Sequence, residues 1–473
     1  MKLEVLSQQD IERIDAASMR ILSETGVEIG HDEMRGRFRE RGAEVDDDAK
    51  RVRIPEKLVR ECVASAGKSY TLVGRDPERT ARFGQGGRNY NGIAGEASWI
   101  EKDGTRRYAT LDDVREAAKL SQMLPDLNIV GAMSDPHEVP VEYRCVEVAA
   151  EILRHTTKPF HHWFHDRTAA KFVVELLAAV AGSEAAAAES PVTYPFLEPI
   201  SPLRFPFDGI DLLFETTRLP LPVAIGPMAQ MGMSAPCTVA GTMAVENAEV
   251  LAGVCVVQLV REGTPVCYGG ICHAFDMRTT QMIFSGPEQA LFGAGMTQMG
   301  KHYGLPVYIN VGLTDAKIPD AQAGLECGIT LAYGAAAGAD IFGHLGIAGV
   351  DQATDLDMLV LQHEAIGYVE RLMRGVTVND DKLAVELVGE LGPGGTFIDQ
   401  MHTVEHMREE LWQPRILDRN YWDTWENAGR ADARMRAREY REELMDAYEP
   451  CPLPDDVEKE VAKIMAAAKK LAG

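Results

Sequence analysis

The sequence predicts an α/β protein built as a (β/α)8 TIM barrel, with an N-terminal helical and β cap and a C-terminal helical tail. The prediction starts from one stretch. Between Leu221 and Gly270 two short apolar runs, Pro222–Gly226 and Pro265–Gly270, bracket a long helical pattern at Thr238–Arg261. Strand-length run, helix-length run and strand-length run make a βαβ unit, and such units build parallel sheets. The second observation is that the rhythm repeats. Apolar runs recur at Asn128–Ala132, Pro159–Phe164, Val192–Phe196, Pro306–Val311 and Asp340–Gly346, with a weaker one at Thr396–Ile398. Helical patterns fall between them, at Glu142–Arg154, Ala169–Ala181, Gly209–Thr217, Glu288–Tyr303, Ala321–Ala337 and Asp355–Leu372. Eight strand candidates alternating with helices over about 270 residues fit a barrel better than an open doubly wound sheet. The third observation is negative. No GxGxxG follows a strand and opens a helix, so a dinucleotide site finds no support.

The flanks differ in texture. Residues 1–124 read as a helical and small β-rich cap region. Ser7 opens a helix through Ile21, and Pro55 sits at the first turn of another. From 70 to 110 the chain is rich in Gly and aromatics, with turn pairs such as Asp103-Gly104, which suggests short strands. Thr110 and Asp113 then cap a helix to about Gln122. Residues 125–400 form the expected barrel, and 401–473 a charged helical extension packed on the barrel or on a second copy.

Length and composition bound the function. A chain of 473 residues with 45% apolar and 25% charged residues has the makeup of a soluble globular protein. Its net charge of −24 argues against nucleic acid and against an anionic membrane surface as partners. The N-terminus has no apolar core of a signal peptide, and no apolar run reads as long and charge-free enough to span a bilayer, so a cytoplasmic location is expected. The eight cysteines are scattered without a CxxC pair, which predicts no disulfide framework. Cys267, Cys272 and His273 fit no zinc spacing, and no metal is expected.

In a barrel the chemistry sits at the C-terminal ends of the strands. Those ends carry Trp163, Phe164, Tyr194, Phe196, Tyr268 and Phe342, with Glu198 among them. Aromatics with few charges suit a quaternary ammonium, which cannot donate a hydrogen bond and is held by ring faces and a nearby carboxylate. Each ring taken singly reads more readily as core packing; their recurrence at several strand ends brings a cage level with that reading. Asn310 ends another strand, and the cap adds Arg88, Asn89, Tyr90 and Asn91. His161, His162, His165 and His344 are candidate ligands or bases. Neighbours such as His161 and His162 point to opposite faces of a strand, so both cannot serve one site. No HExxH and no GxSxG motif is present.

The longer motifs carry a resemblance. SAPCTVAGTMAVENAEVLAGVCVVQLVREGTPVCYGG, EPISPLRF at Glu198–Phe205, TDAKIPDAQAGLE at Thr314–Glu326 and AGADIFGHLG at Ala337–Gly346 resemble the trimethylamine methyltransferase (MttB) superfamily. So does the tail pattern HTVEH, Trp412, Asp418-Arg419, Trp425 and YEPCPL, and the likeness runs from about residue 5 to 470. The resemblance implies a TIM barrel that moves a methyl group from a methylated amine to the Co(I) corrinoid (cobalamin) of a separate protein. A second methyltransferase then passes the methyl group on. It implies no cofactor held tightly by this chain.

Members acting on trimethylamine carry pyrrolysine in the barrel. This chain uses only the ordinary twenty residues, which places it with the branch that resembles glycine betaine methyltransferase and uses quaternary amines. Chemistry agrees: a quaternary ammonium leaves as a neutral amine and needs no covalent activation. The expected site then has the aromatics on the ammonium and Asn89, Tyr90, Asn91, Asn310 and Arg204 or Arg88 on a carboxylate tail, Arg being suited to a bidentate grip. His344 is the one catalytic candidate, in a positioning role. Carnitine, γ-butyrobetaine, proline betaine, dimethylsulfoniopropionate or trimethylamine as donor, a zinc-dependent methyl transfer, and a non-catalytic quaternary-amine-binding protein are the alternatives. The acidic surface and helical tail are compatible with a homo-oligomer.

Overall fold

In the computed structural model, which describes residues 2–471, the apolar runs become short parallel strands joined by helices. The strands are β1 (Asn89–Gly92), β2 (Val130–Gly131), β3 (Phe160–His161), β4 (Phe196–Leu197), β5 (Val223–Ile225), β6 (Val266–Gly270), β7 (Val307–Ile309) and β8 (Ile341–Leu345). The helices between and after them are α1 (Leu111–Met123), α2 (Val141–His155), α3 (Arg167–Ala181), α4 (Val239–Val260), α5 (Pro287–His302), α6 (Ala321–Ala337) and α7 (Leu356–Met373). Two short helices, Phe207–Asp211 and Leu213–Thr216, stand between β4 and β5. The expected helices from Glu142 to Leu372 are thus present within a few residues of their predicted ends.

β4, β5, β6, β7, β8 and β1 form one curled parallel sheet in that order, and β2 pairs with β3. The Gly92 N–H donates to the Ile129 carbonyl and the Ile129 N–H to the Tyr90 carbonyl, both at 3.1 Å, tying β1 to the residues entering β2. The Phe160 N–H donates to the Val192 carbonyl at 3.0 Å, tying β3 to the segment entering β4.

Alternation along each strand divides the side chains between two faces. Tyr194, Phe196, Cys267, Tyr308 and Ile341 form one buried cluster on the concave face. Val266, Tyr268, Val307, Ile309 and Phe342 point the other way, into the main core under the helices. The hairpin Tyr70–Val73 with Thr80–Phe83 closes the end where the strands begin: its Tyr70, Leu72 and Phe83 join the concave cluster. Asp340, at the entry to β8, holds that end by accepting from the N–H groups of Gly84 and Val307, each at 2.9 Å.

Two expectations about the strands are corrected. Thr396–Ile398 is not a strand; it lies in an exposed turn. A strand within the predicted cap, Asn89–Gly92, instead pairs in parallel with β8. Its sequence, Asn-Tyr-Asn-Gly, has no β-branched residue and only one large apolar one, so it carries no strand signal. The bilayer expectation also needs correcting. Among the described residues one helix, α4, is long and apolar enough to cross a membrane by length and composition, yet 89% of its most apolar window is buried inside the fold.

α4 earns that burial with polar groups as well as apolar ones. Glu246, fully buried, accepts from the N–H groups of Ala229 and Ile271, both at 2.9 Å. Those residues lie in the loops that follow β5 and β6. Glu249 accepts from the Ser201 hydroxyl at 2.7 Å and from the Leu203 N–H, fixing the loop after β4. Asn247 joins the Tyr268 and Tyr303 hydroxyls and the Ser18 side chain. Removing a buried acceptor strands its donors, at about 1–3 kcal/mol for each unsatisfied group. Glu246→Ala is expected to lower the unfolding free energy by about 2–4 kcal/mol. Denaturant titration checks this; a midpoint equal to that of the parent protein would show that the loops do not depend on this carboxyl.

Candidate active site

The C-terminal end of the concave face is lined by rings. The Phe196 ring meets Trp163 edge-on at 6.4 Å and Tyr308 at 5.3 Å, and His344 lies 5.5 Å from Tyr308 and 6.3 Å from Phe196. The Trp163 indole N–H donates to the Gly95 carbonyl at 2.9 Å, which fixes the ring. Beneath them His161 stacks on Tyr194 at 4.5 Å. Two glycines make room for this packing. A Cβ on Gly226 would sit 2.4 Å from the Phe196 ring, and one on Gly343 would sit 1.7 Å from the Tyr308 hydroxyl oxygen. The Gly226 position ends one of the two apolar runs that first marked this region, and the space it leaves is taken by the protein's own ring.

Three carboxyls stand around the rings. Glu198 follows Phe196 by two residues on the same face; Glu96 lies in the loop after β1, and Asp351 in the loop after β8. Glu198 keeps a large accessible area although protein atoms crowd round it. Burial, then the Asp351 charge, pushes Glu198 up to about 7. Burial and the Asp351 carboxyl push Glu96 up to about 10, and burial raises Asp351. The Glu96–Asp351 pair is thus held up by burial, and Glu198 is poised to titrate.

The imidazoles are neutral. Burial pulls His344 and His273 down to about 3, and carries His161 well below the usual histidine range. The His161 Nδ1 lies 3.2 Å from the Asn91 amide nitrogen, and the His273 Nε2 lies 3.4 Å from that of Asn310. The carbonyl oxygens of both amides have no hydrogen-bond partner, and neither does the His344 Nε2. His344 also has a backbone φ of +68°, where β8 shifts register between Phe342 and Leu345; Val350 and Asp351 follow with φ of +64° and +58°. Such conformations cost a non-glycine residue about 1 kcal/mol or more and gather at functional sites.

The residues named from sequence divide cleanly. Asn91, Trp163, Tyr194, Phe196, Glu198, Asn310 and His344 come together at this end of the concave face. The others do not. Asn89 is bonded to the Arg82 and Asp340 carbonyls at the opposite end. Tyr90 turns outward, its hydroxyl on Glu370 and its ring on Phe342. Tyr268 donates to Asn247 at 2.7 Å beneath α4, and Phe342 sits in the main core. Arg204 is exposed on a strand paired with Val27–Ile29 in the N-terminal region, and Arg88 is bonded to Glu370 through two contacts of 2.6 Å. Neither arginine is free for a carboxylate tail here. Sequence reasoning missed Tyr308, Glu96, Asp351 and His273. Tyr308 was within reach, since it precedes Asn310 by two residues on one strand and so shares its face. Nothing local marks the loop carboxyls.

A second cluster lies apart. Asp381, His402 and His406 bring ligand atoms within 4.8 Å of one another. The Lys382 ammonium, 3.0 Å from His406 Nδ1, already supplies a positive charge there, and we assign no metal to it.

The sheet is barrel-like and ends in a concavity lined by rings and edged by carboxyls. The family profile described as trimethylamine methyltransferase (MTTB) matches residues 1–473. The chain belongs to that family and is a methyltransferase. It is 28% identical to a glycine betaine methyltransferase of Desulfitobacterium hafniense (strain Y51), over 100% of this chain and 98% of that one. It is 30% identical to the trimethylamine methyltransferase MttB of Desulfitobacterium hafniense (strain DSM 10664 / DCB-2), over 95% and 91%, and 28% to MttB of Methanosarcina barkeri, over 99% and 96%. The solved monomethylamine methyltransferase MtmB of Methanosarcina barkeri aligns over 99% of this chain and 95% of its own, with 12% identity and a TM-score of 0.48.

A cation bound beside Glu198 favours its charged form. Glu198 titrates near 7, faced by Asp351, Glu96 and the Tyr308 hydroxyl, while the imidazoles stay neutral. The affinity for tetramethylammonium is therefore expected to be full above pH ~8, to weaken as the pH falls through 7 and Glu198 protonates, and to level off at what the rings alone supply. Calorimetric titration between pH 5 and 8.5 checks this; a flat profile would remove Glu198 from the site.

Proposed function

We propose that this chain transfers a methyl group from a quaternary ammonium donor to the Co(I) corrinoid of a partner protein, at the mouth of a closed (β/α)8 barrel. Closure is supported by the hydrogen bonds that join β1 to β2 and β3 to β4, which would complete a ring of eight strands. In that reading the first barrel strand comes from within the first 124 residues, and residues 401–473 are the extension. The observation that carries the function is the set of rings, Trp163, Phe196 and Tyr308, gathered with Glu198 in one concavity. One relative is named for glycine betaine, a quaternary ammonium, which supports this class of donor; another is named for trimethylamine, a tertiary amine.

The chain's residues have three tasks in this reaction. The rings hold the ammonium by cation–π attraction, worth about 0.5–2 kcal/mol each. Glu198 and Asp351 balance its charge. The buried walls exclude water and hold one N–CH3 bond pointing out of the mouth, so that orientation supplies much of the rate. The partner's corrinoid supplies the nucleophile. The N–C bond breaks with its electron pair staying on nitrogen, the carbon–cobalt bond forms, and a neutral amine leaves. No proton moves, which fits a neutral His344 acting by position alone.

The test is methyl transfer to a reduced corrinoid protein, followed by loss of the Co(I) absorption band. Tetramethylammonium, choline, glycine betaine and trimethylamine serve as donors. A quaternary donor is expected to react and trimethylamine to be inert; reaction with trimethylamine alone would overturn the reading. Trp163→Ala is expected to weaken donor binding about 2- to 30-fold, whereas Tyr268→Phe leaves it unchanged. Equal effects of the two would place the donor elsewhere.

A further inference from the structure

A long excursion leaves the fold at the end of α7 and later returns to it. It spans residues 374–411 and carries the helices Val385–Leu391 and Met401–Glu410. Among the described residues of this span none is buried. Its internal contacts are polar. The Lys382 ammonium donates to Glu409 and Glu410 at 3.1 and 3.0 Å, and the His406 Nε2 lies 3.3 Å from the Asp381 carboxyl. Its apolar side chains, Val376, Val385, Val388, Ile398, Met401 and Val404, face outward; Ile398 is 83% exposed and Met401 67%. Helices of seven and ten residues do not hold their shape in water without a packed face, so this polarity calls for a covering surface.

The same chain offers one. On α6, Leu325, Ile329 and Tyr333 recur every four residues and so line one face, and all three are exposed. On α7, Tyr368 and Leu372 flank them and are exposed too. Gly324 and Gly328 open the space between: a Cβ at either would meet nothing within 4 Å. The result is an apolar groove between the two helices, on the solvent side of the layer that covers the sheet.

The roots of the excursion lie beside that groove. Trp412, where the chain returns, meets the Tyr368 ring edge-on at 5.4 Å, and Arg371 donates to the Glu410 carbonyl at 3.0 Å. Excursion and groove are thus neighbours in one chain, yet each stays exposed. Together their apolar side chains leave on the order of 1,000 Å² open, against ~300–600 Å² for the largest patch of a typical monomer and ~800 Å² given by each partner to a standard interface. A projecting element beside a groove that fits it is what a two-fold pair requires, because each chain then offers the same patch and receives it. A corrinoid protein, by contrast, has to meet the mouth.

We propose that residues 374–411 of one copy lie in the α6–α7 groove of a second copy, and that the second copy's excursion lies in the groove of the first. The occupant of the groove is this chain itself, and the excursion is an exchanged arm whose apolar side the partner covers.

The experiment measures the mass of the full chain by size-exclusion chromatography with light scattering at about 10 µM. The parent protein is compared with Ile329→Glu in the groove and Val404→Glu on the excursion. Both positions are exposed in the single chain, so neither change disturbs its fold, and circular dichroism checks that. The parent is expected at the mass of a pair or a multiple of it. Each variant is expected to weaken association at least about tenfold, since a carboxylate would be buried against apolar side chains, and to run as a single chain. A parent protein with the mass of one chain overturns the inference; loss of binding to the corrinoid protein in the same two variants would then name that protein as the occupant. Dissociation by only one of the two variants also overturns it, because the excursion and the groove would then not meet each other. A mass unchanged in both variants overturns it by placing the interface elsewhere.

Discussion

The constraint on which the site depends is the pinning of loops by buried carboxylates. A parallel sheet delivers its functional side chains from loops at one end, and loops carry backbone N–H groups that find no partner within the strands. Here the helices supply the acceptors. Glu246 and Glu249 on α4 hold the loops after β4, β5 and β6, and Glu326 on α6 accepts from Thr314 and Asp315 after β7. Glu364 on α7 gathers three consecutive N–H groups, Arg415 to Leu417, and so fastens the C-terminal extension to the same scaffold. A carboxyl group that accepts from several N–H groups fixes the direction of each bond, and burial pushes the Glu246 and Glu249 carboxyls up.

That rigidity permits strain at the rim. His344, Val350 and Asp351 all occupy the left-handed region, a conformation that costs energy unless the surroundings enforce it. The enforcement is visible in the Gly346 N–H, which donates to Gln362 of α7 at 2.6 Å, and in the Gly349 N–H, which donates to the Ala316 carbonyl at 2.8 Å. The strained segment turns His344 toward Tyr308 and Asp351 toward Glu96. Backbone geometry, more than side-chain choice, converts an ordinary strand end into a concavity with rings on one side and carboxyls on the other.

Much of the architecture was legible because it rests on periodicity. The apolar runs and the helical patterns between them report burial, and burial is what the sheet and its helices share. Asn89–Gly92 escaped because a strand can be made by its neighbours: its pairing with β8 and its bonds to Ile129 do what its own residues do not. The site was legible only in part, for a reason of register. Tyr90, Tyr268 and Phe342 are aromatic and stand in strands, like Tyr194, Phe196 and Tyr308, yet a shift of one residue sends them to the helix-covered face. Glu96 and Asp351 come from two loops far apart in the chain, and the pairing of β1 with β8 brings them together.

The motifs that identify the family bear chiefly on the scaffold. In VENAEV, Glu246 and Glu249 pin loops and Asn247 joins tyrosines beneath the sheet. In the segment from Thr314 to Glu326, Asp320 caps α6 and Glu326 holds the loop. In the segment from Ala337 to Gly346, Asp340 closes the bottom and Gly343 clears space for Tyr308. Such residues set the positions of the strand-end loops. In the proposed reaction the donor meets other side chains, Trp163, Glu198, Glu96 and Asp351, which lie outside or at the edges of those motifs.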